Sequence, residues 1–162
     1  MEATYYVSAL ASVAGASKRH LAVFNASGSG KLLKVYRVIA ANAPTAAVTG
    51  LVIPLTVGRI TTVPTGGTNP TINKADTTNA DVPAQVTAHA AATGGATEEA
   101  STFGAGVVSG EETSAGANAL MYESIINGTQ PIICREGQGI LVKQGALASA
   151  GAINACIIFS LV

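Results

Sequence analysis

The side chains best suited to chemistry are two histidines and two pairs of glutamates, and their spacing does not match a known active site. His20 and His89 stand in neither an HxH nor an HExxH pattern, so a zinc site is not predicted. A Ser/His/Asp site can be assembled from distant residues, but the chain has no GxSxG turn. Glu98-Glu99 and Glu111-Glu112 fall in a segment of small residues, where solvation is a simpler role than acid–base catalysis. We therefore expect no catalytic residue, no metal, no cofactor and no enzyme activity.

A glycine-rich stretch, Gly28-Ser29-Gly30-Lys31, superficially resembles a phosphate-binding loop. The full pattern requires a glycine where Asn25 stands, and a serine or threonine where Leu32 stands. A strand is predicted after the lysine, so there would be no helix N-terminus to hold a phosphate. We interpret the stretch as a turn.

Cys134 and Cys156 are the two cysteines, and both lie in apolar runs typical of strands. Buried free thiols are the expectation for such positions. A Cys134–Cys156 disulfide is the alternative if the two strands are neighbours.

The composition suits a chain whose surface is covered by other chains. Hydrophobic residues make up 48% of the 162 residues and charged residues 11%, with many small side chains. So little charge is unusual on a free monomer; the alternative is an ordinary β domain with alanine-rich loops. The length fits one domain. Since there is no apolar run of ~18 residues, a transmembrane helix is not predicted.

The charges are segregated along the chain. Residues 1–75 hold seven cations against one acid, and residues 76–162 hold two cations against eight acids, so the halves carry +6 and −6. The interpretation that we favour is that the halves interleave in one sandwich; the alternative is that complementary surfaces meet between subunits. Neither half has the clustered basic face expected for nucleic-acid binding.

Lys31–Val63 organises the predicted fold as two long strands joined by a turn region. In the second strand, apolar residues alternate with a period of two, which predicts one buried face. That face is formed by Leu51, Ile53, Leu55 and Val57. Pro54 cannot donate a ladder hydrogen bond, so it predicts a sheet edge or a bulge. The first strand is apolar on parts of both faces, which predicts a second neighbour, either another sheet or another subunit.

Several further strands are predicted around this pair. Arg19–Asn25 is expected to form a hairpin with the first long strand across the turn 26–30. Additional strands are expected at residues 71–74, 84–91, 120–126, 131–135, 140–143 and 152–162. Residues 92–118 read as a long low-complexity connection. Residues 1–18 are interpreted as an N-terminal arm or first strand, and residues 19–162 as one all-β domain, an antiparallel jelly-roll-like sandwich.

Three segments resemble jelly-roll head decoration, or cement, proteins of tailed bacteriophages. They are AVFNASGSGKLLKVYRVIAAN, TAAVTGLVIPLTVGRITTVPTGGT and QPIICREGQGILVKQGALASAGAINACIIFSLV. The resemblance lies in the sequences of the predicted strands and in the turn positions across residues 20–75 and 118–162, and it includes no catalytic residue. It is weakest in residues 76–117.

The resemblance implies a structural virion protein, made in the cytoplasm of the host bacterium and located on the capsid surface. Such a protein would form a homo-oligomer, expected to be a trimer, and would bind the phage major capsid protein on the outside of the head. Contact with nucleic acid or a membrane is not expected. The alternative function is a receptor- or glycan-binding module of a phage tail or fibre. That alternative requires a pocket where aromatic and polar groups converge, and the sequence is poor in both.

Overall fold

A computed structural model describes residues 2–43, 52–109, 118–124, 128, 130–147 and 151–162. Within these ranges the regular elements are eleven strands, and none is a helix. The strands are β1 Thr4–Val13, β2 Arg19–Asn25, β3 Leu33–Asn42, β4 Val52–Ile60, β5 Asn73–Lys74, β6 Val86–Ala92, β7 Glu98–Ser109, β8 Asn118–Glu123, β9 Ile132–Cys134, β10 Gln138–Gln144 and β11 Ala152–Leu161.

The strands form two antiparallel sheets that pack face to face. Sheet A has the order β5-β1-β11-β3-β8, and β9 also pairs with β3; sheet B has the order β6-β2-β10-β4-β7. Their inner faces share one hydrophobic core, which includes the fully buried Val7, Val23, Val57, Ile140 and Phe159. Burying a side chain of this size contributes ~1.5–3 kcal/mol. The predicted all-β antiparallel sandwich is confirmed.

Sheet B is buried on part of its outer face as well. A second, smaller cluster joins Ala22 and Phe24 of β2 to Ile60 and Leu141, and Ala96 packs against it. This explains why six consecutive residues of β2 are buried. The strand lies against the main core on one face and against a covering loop on the other.

The mixed pattern of β3 arises from a β-bulge. Val35 pairs with Phe159, but Arg37 pairs with Ile158, so Tyr36 is an extra residue in β3. A bulge of this kind moves the following side chains to the opposite face. Leu33 and Val35 are buried before the bulge, and Val38 and Ala40 are buried after it. The buried apolar residues on both alternation phases therefore face the same core, whereas Ile39 lies on the outer face of sheet A. The second neighbour expected on that face stays a prediction.

The predicted position of Pro54 at a sheet edge is also wrong. β4 lies between β10 and β7, and the register shifts of its pairing with β7 fall around Gly58 rather than at the proline. Pro54 is tolerated because it lies one residue beyond the last β4–β10 pair, Leu55–Gln144. Its carbonyl accepts a hydrogen bond from the Gly145 N–H at 3.0 Å, where the ladder ends. The predicted buried face is confirmed at Ile53, Leu55 and Val57; Leu51 lies outside the described residues.

Two connections differ from the predictions. β2 lies in sheet B and β3 in sheet A, so the expected hairpin is in fact a crossover between the sheets. The low-complexity segment contains β7, a twelve-residue strand, so its interpretation as a loop is wrong. Its small residues allow close packing, since a Cβ at Gly104 would overlap the carbonyl oxygen of Met121 on β8. At the other end of the chain, β1 is paired on both sides, with β11 and β5.

Candidate functional site

The segregated charges of the sequence meet within one chain. Six ion pairs are found among the described residues, and four of them join a cation of residues 1–75 to an acid of residues 76–162. Those four pairs are Arg19–Glu98, Arg37–Glu123, Arg59–Glu99 and Lys74–Asp81. This supports the interleaved interpretation and removes the charge pattern as an argument for complementary subunit surfaces.

The glutamate pair on β7 is part of this network. Glu98 contacts Arg19 at 3.5 Å and Lys143 at 2.8 Å, and Glu99 contacts Arg59 at 3.2 Å. The two carboxylates thus hold β7 to its neighbours, and the expectation that they solvate a flexible segment is wrong. Glu111 and Glu112 lie outside the described residues.

His20 lies in a buried polar cluster rather than in an open site. Its side chain is fully buried; Nδ1 is 2.9 Å from the Ser12 hydroxyl, and Nε2 is 3.4 Å from Gln144 Oε1, which also accepts the Gly15 N–H at 2.8 Å. Burial lowers the pKa of His20 to about 4, because a charged imidazole there would lose its water. A substrate cannot reach this serine and histidine, so the cluster fastens the end of β1 onto β2 and β10.

His89 is also nearly buried, with Nε2 2.9 Å from the Thr87 hydroxyl.

The Gly28–Gly30 turn binds an anion, which is the chain's own carboxylate. Glu136 accepts the N–H of Gly28 at 3.1 Å and that of Gly30 at 2.6 Å, and both glycines have positive φ. These two hydrogen bonds lower the pKa of Glu136. The backbone donors that a phosphate would need are therefore engaged, in agreement with the interpretation of this stretch as a turn.

The two cysteines are free, as expected, and the alternative disulfide is absent. Cys134 is buried on β9, and burial raises the pKa of its thiol to about 11. Cys156 of β11 is half-buried and pairs with Ile39 of β3. The expected burial holds only for Cys134, since Cys156 points away from the core and lies on the outer face of sheet A.

The outer face of sheet A has an apolar half. A shallow groove of about 160 Å³ lies across β1, β11 and β3, and the residues placed around it are all uncharged. They are Ser8, Leu10, Ile39, Ala41, Asn154, Ala155 and Cys156. Leu10 is 76% exposed, the highest value among the large hydrophobic residues of the described chain. An exposed apolar patch of this kind is a candidate protein-binding surface.

The other half of this face is polar and satisfied by its own contacts. Glu2 accepts hydrogen bonds from Lys34 Nζ at 2.6 Å, the Tyr36 hydroxyl at 2.6 Å and the Ser160 hydroxyl at 2.9 Å. These bonds, led by that of Lys34, lower the pKa of Glu2 to about 2. Tyr36 alternates with the buried Leu33 and Val35, so its hydroxyl lies on the outer face together with Lys34.

A pocket of about 530 Å³ lies where the two sheets meet, and we call it the Arg59 pocket. Its lining residues come from β4, β7, β8, β9 and the segment before β9: Arg59, Phe103, Tyr122, Gln130, Pro131, Ile132 and Ile133. Sequence reasoning missed this convergence of aromatic and polar groups. Phe103 falls in the segment 92–118, which the sequence predicts to be a connection, and the spacing of the lining residues carries no signal.

The described residues contain no group of three histidine, cysteine, aspartate or glutamate side chains that could hold a metal ion. In the same ranges the structure contains no helix that could cross a membrane. The described residues thus form a β-sandwich whose open features include an apolar face on sheet A and the aromatic Arg59 pocket. No protein-family model, curated protein or solved structure matches the chain.

Proposed function

We propose that this chain is a structural virion protein that decorates the outer face of a tailed-phage head and stabilises it, without chemistry of its own. The observation that carries the proposal is the apolar half of sheet A, where Leu10 is 76% exposed beside a groove lined by uncharged residues. The resemblance of the strand sequences to those of decoration proteins also supports the proposal. The protein acts as a homo-oligomer, expected to be a trimer, bound to the major capsid protein.

The mechanism follows from mass action. A protein that binds only the assembled shell stabilises it by RT ln(1 + [L]/Kd), without any covalent step. A standard contact of ~800 Å² on each partner is sufficient for stable attachment. Because the apolar half is uncharged, attachment depends on buried apolar area, and salt weakens it far less than it weakens phosphate binding.

A binding assay with isolated heads tests the proposal. Purified protein is added to heads that lack it, and the bound fraction is measured after sedimentation at low and at high salt. We expect saturation at a fixed number of copies per head and little change with salt. Failure to sediment with heads, or binding that disappears in high salt, contradicts the proposal.

The second candidate function is a receptor- or glycan-binding module of a phage tail or fibre. The Arg59 pocket favours it, because Arg59, Phe103, Tyr122 and Gln130 supply the polar and aromatic groups that such a module needs. The two functions are separated by the location of the protein in the particle and by host adsorption. A module of the tail would leave head stability unchanged, whereas its removal would reduce adsorption.

A further inference from the structure

The Arg59 pocket has the size and position of a small-ligand site. Its volume of about 530 Å³ falls within the ~300–1,000 Å³ typical of ligand pockets. It opens on the side of the sandwich, between β4 and β7 of sheet B and β8 and β9 of sheet A. This location is distinct from the outer face of sheet A, so the inference does not depend on the decoration function; it rests on the second candidate function and names the ligand class of that site.

The walls of the pocket are held in place by contacts with one another and with Glu99. Arg59 donates to Glu99 Oε2 at 3.2 Å and to the Ile133 carbonyl at 2.9 Å, and its guanidinium lies 5.0 Å from the centre of the Phe103 ring. The Tyr122 hydroxyl donates to the Gln130 carbonyl at 2.8 Å. A ligand would therefore meet a site that is already ordered, which lowers the entropy cost of binding.

The electrostatics of the pocket favour a neutral ligand. Arg59 is the charged residue of the lining, and its charge is compensated by Glu99 at 3.2 Å. An anionic ligand would have to compete with that carboxylate, and a cationic ligand would meet the guanidinium. The remaining lining side chains are uncharged.

The hydrogen-bonding groups match a ligand with hydroxyl groups. The Tyr122 oxygen, which donates to Gln130, still has lone pairs with which to accept, and the exposed Gln130 amide can both donate and accept. Arg59 bonds Glu99 and the Ile133 carbonyl through its two terminal nitrogens, and its Nε is buried, so only the remaining N–H groups of the terminal nitrogens could reach a ligand. Phe103 and Tyr122 are half-buried and add aromatic surface. A purely apolar ligand would leave the polar groups at the rim unused.

We propose that the Arg59 pocket binds a neutral pyranose sugar. A pyranose has an apolar C–H face, which packs on an aromatic ring, and a rim of hydroxyls, which both donate and accept hydrogen bonds. Phe103 and Tyr122 provide the first kind of contact, and Gln130, Arg59 and the Tyr122 oxygen provide the second.

The test is saturation-transfer NMR on the full chain with the methyl glycosides of glucose, galactose and mannose, and with glucuronic acid as the charged counterpart. We expect transfer to at least one neutral glycoside, strongest at the C–H protons of one ring face, and weaker transfer to glucuronic acid. Phe103→Ala should weaken binding about tenfold, equivalent to ~1.4 kcal/mol. Tyr6→Ala, which removes a 41% exposed ring on sheet A, is the matched control and should leave binding unchanged.

Gln130→Ala keeps the proposal testable if Phe103→Ala fails to fold, because the Gln130 side chain is exposed. It should weaken binding several-fold with an unchanged circular dichroism spectrum. Absence of transfer to every neutral glycoside overturns the proposal. Binding of glucuronic acid alone, or binding that Gln130→Ala leaves intact, overturns it as well. Head binding is measured separately, so the two proposals can fail independently.

Discussion

The two halves of the outer face of sheet A lie on the same strands but differ in whether their side chains find partners within the chain. At the polar half, Glu2 receives three hydrogen bonds from Lys34, Tyr36 and Ser160, so its charge is satisfied by the chain itself. At the apolar half, Leu10 is largely exposed beside uncharged neighbours. Polar groups satisfied within the chain gain little from a partner, whereas exposed apolar area gains free energy when it is covered. The comparison therefore assigns partner binding to the apolar half.

The largest effect is expected when a charge is placed in the apolar half. Leu10→Asp should abolish both self-association and head binding, because an interface would bury an unpaired carboxylate there. Leu147→Asp is the matched control, since Leu147 is 61% exposed but lies outside the groove. Native mass spectrometry and sedimentation with heads measure the two properties. If both variants behave like the unchanged protein, the apolar half is not the binding surface.

The groups that support the two halves should lose their contributions to the free energy of unfolding in different pH ranges. The His20 cluster fastens β1 close to Leu10, and the pKa of His20, about 4, lies below its usual value of 6.5. The unfolded chain therefore takes up a proton first as the pH falls, and stability is lost between pH 6.5 and 4, by up to about 3 kcal/mol. Lys18 is the charge that acts on His20, and it opposes protonation. Urea unfolding followed across this range measures the loss of stability. An NMR titration that gives His20 a pKa near its usual value of 6.5 would contradict the account.

Cys156 provides a probe of whether the apolar half is covered. Its thiol lines the groove, whereas Cys134 is buried and its raised pKa, about 11, keeps it unreactive at neutral pH. Alkylation should modify Cys156 alone, and several-fold more slowly in the assembled protein than in Leu10→Asp. Equal alkylation rates of Cys156 in both proteins would mean that the contact between subunits lies outside the groove.

The smallest effect is expected at the polar half. Glu2→Gln removes the charge held by Lys34, Tyr36 and Ser160, and we expect a slight loss of stability at neutral pH with head binding unchanged. Because the folded-state pKa of Glu2, about 2, lies below its usual value of 4.5, the contribution of Glu2 to stability is present above pH 4.5 and is lost as the pH falls toward 2. The variant should lack this part of the acid-induced loss in a urea titration. Impaired head binding by Glu2→Gln would contradict the assignment of partner binding to the apolar half alone.

Local patterns predicted the strands well where the side chains were large and regular. The alternation of Ile53, Leu55 and Val57 identified the buried face of β4, and Arg19–Asn25 matched β2. Features that depend on another strand had no local signal. The bulge at Tyr36 is a register shift of β3 against β11, and β7 is a strand through its pairing with β4, with Gly104 allowing close approach to Met121 on β8.

The candidate surfaces were less accessible to sequence reasoning than the fold. Leu10 continues the outward phase of Tyr6 and Ser8 in β1, but the residues that complete the groove beside it come from β3 and β11. The Arg59 pocket assembles side chains from both sheets, and the order of the strands brings them together. Spacing along the chain encodes neither arrangement.

Heat release of DNA from heads tests the central claim most directly. Heads with and without the protein are heated, DNA loss is followed by nuclease sensitivity, and host adsorption is measured in parallel. The account predicts that bare heads assemble but lose DNA at a lower temperature, and that adding the purified protein restores resistance at a fixed copy number while Leu10→Asp does not. Bare heads that are as resistant as decorated ones, with adsorption reduced when the protein is missing, would contradict the account and support the tail-module function.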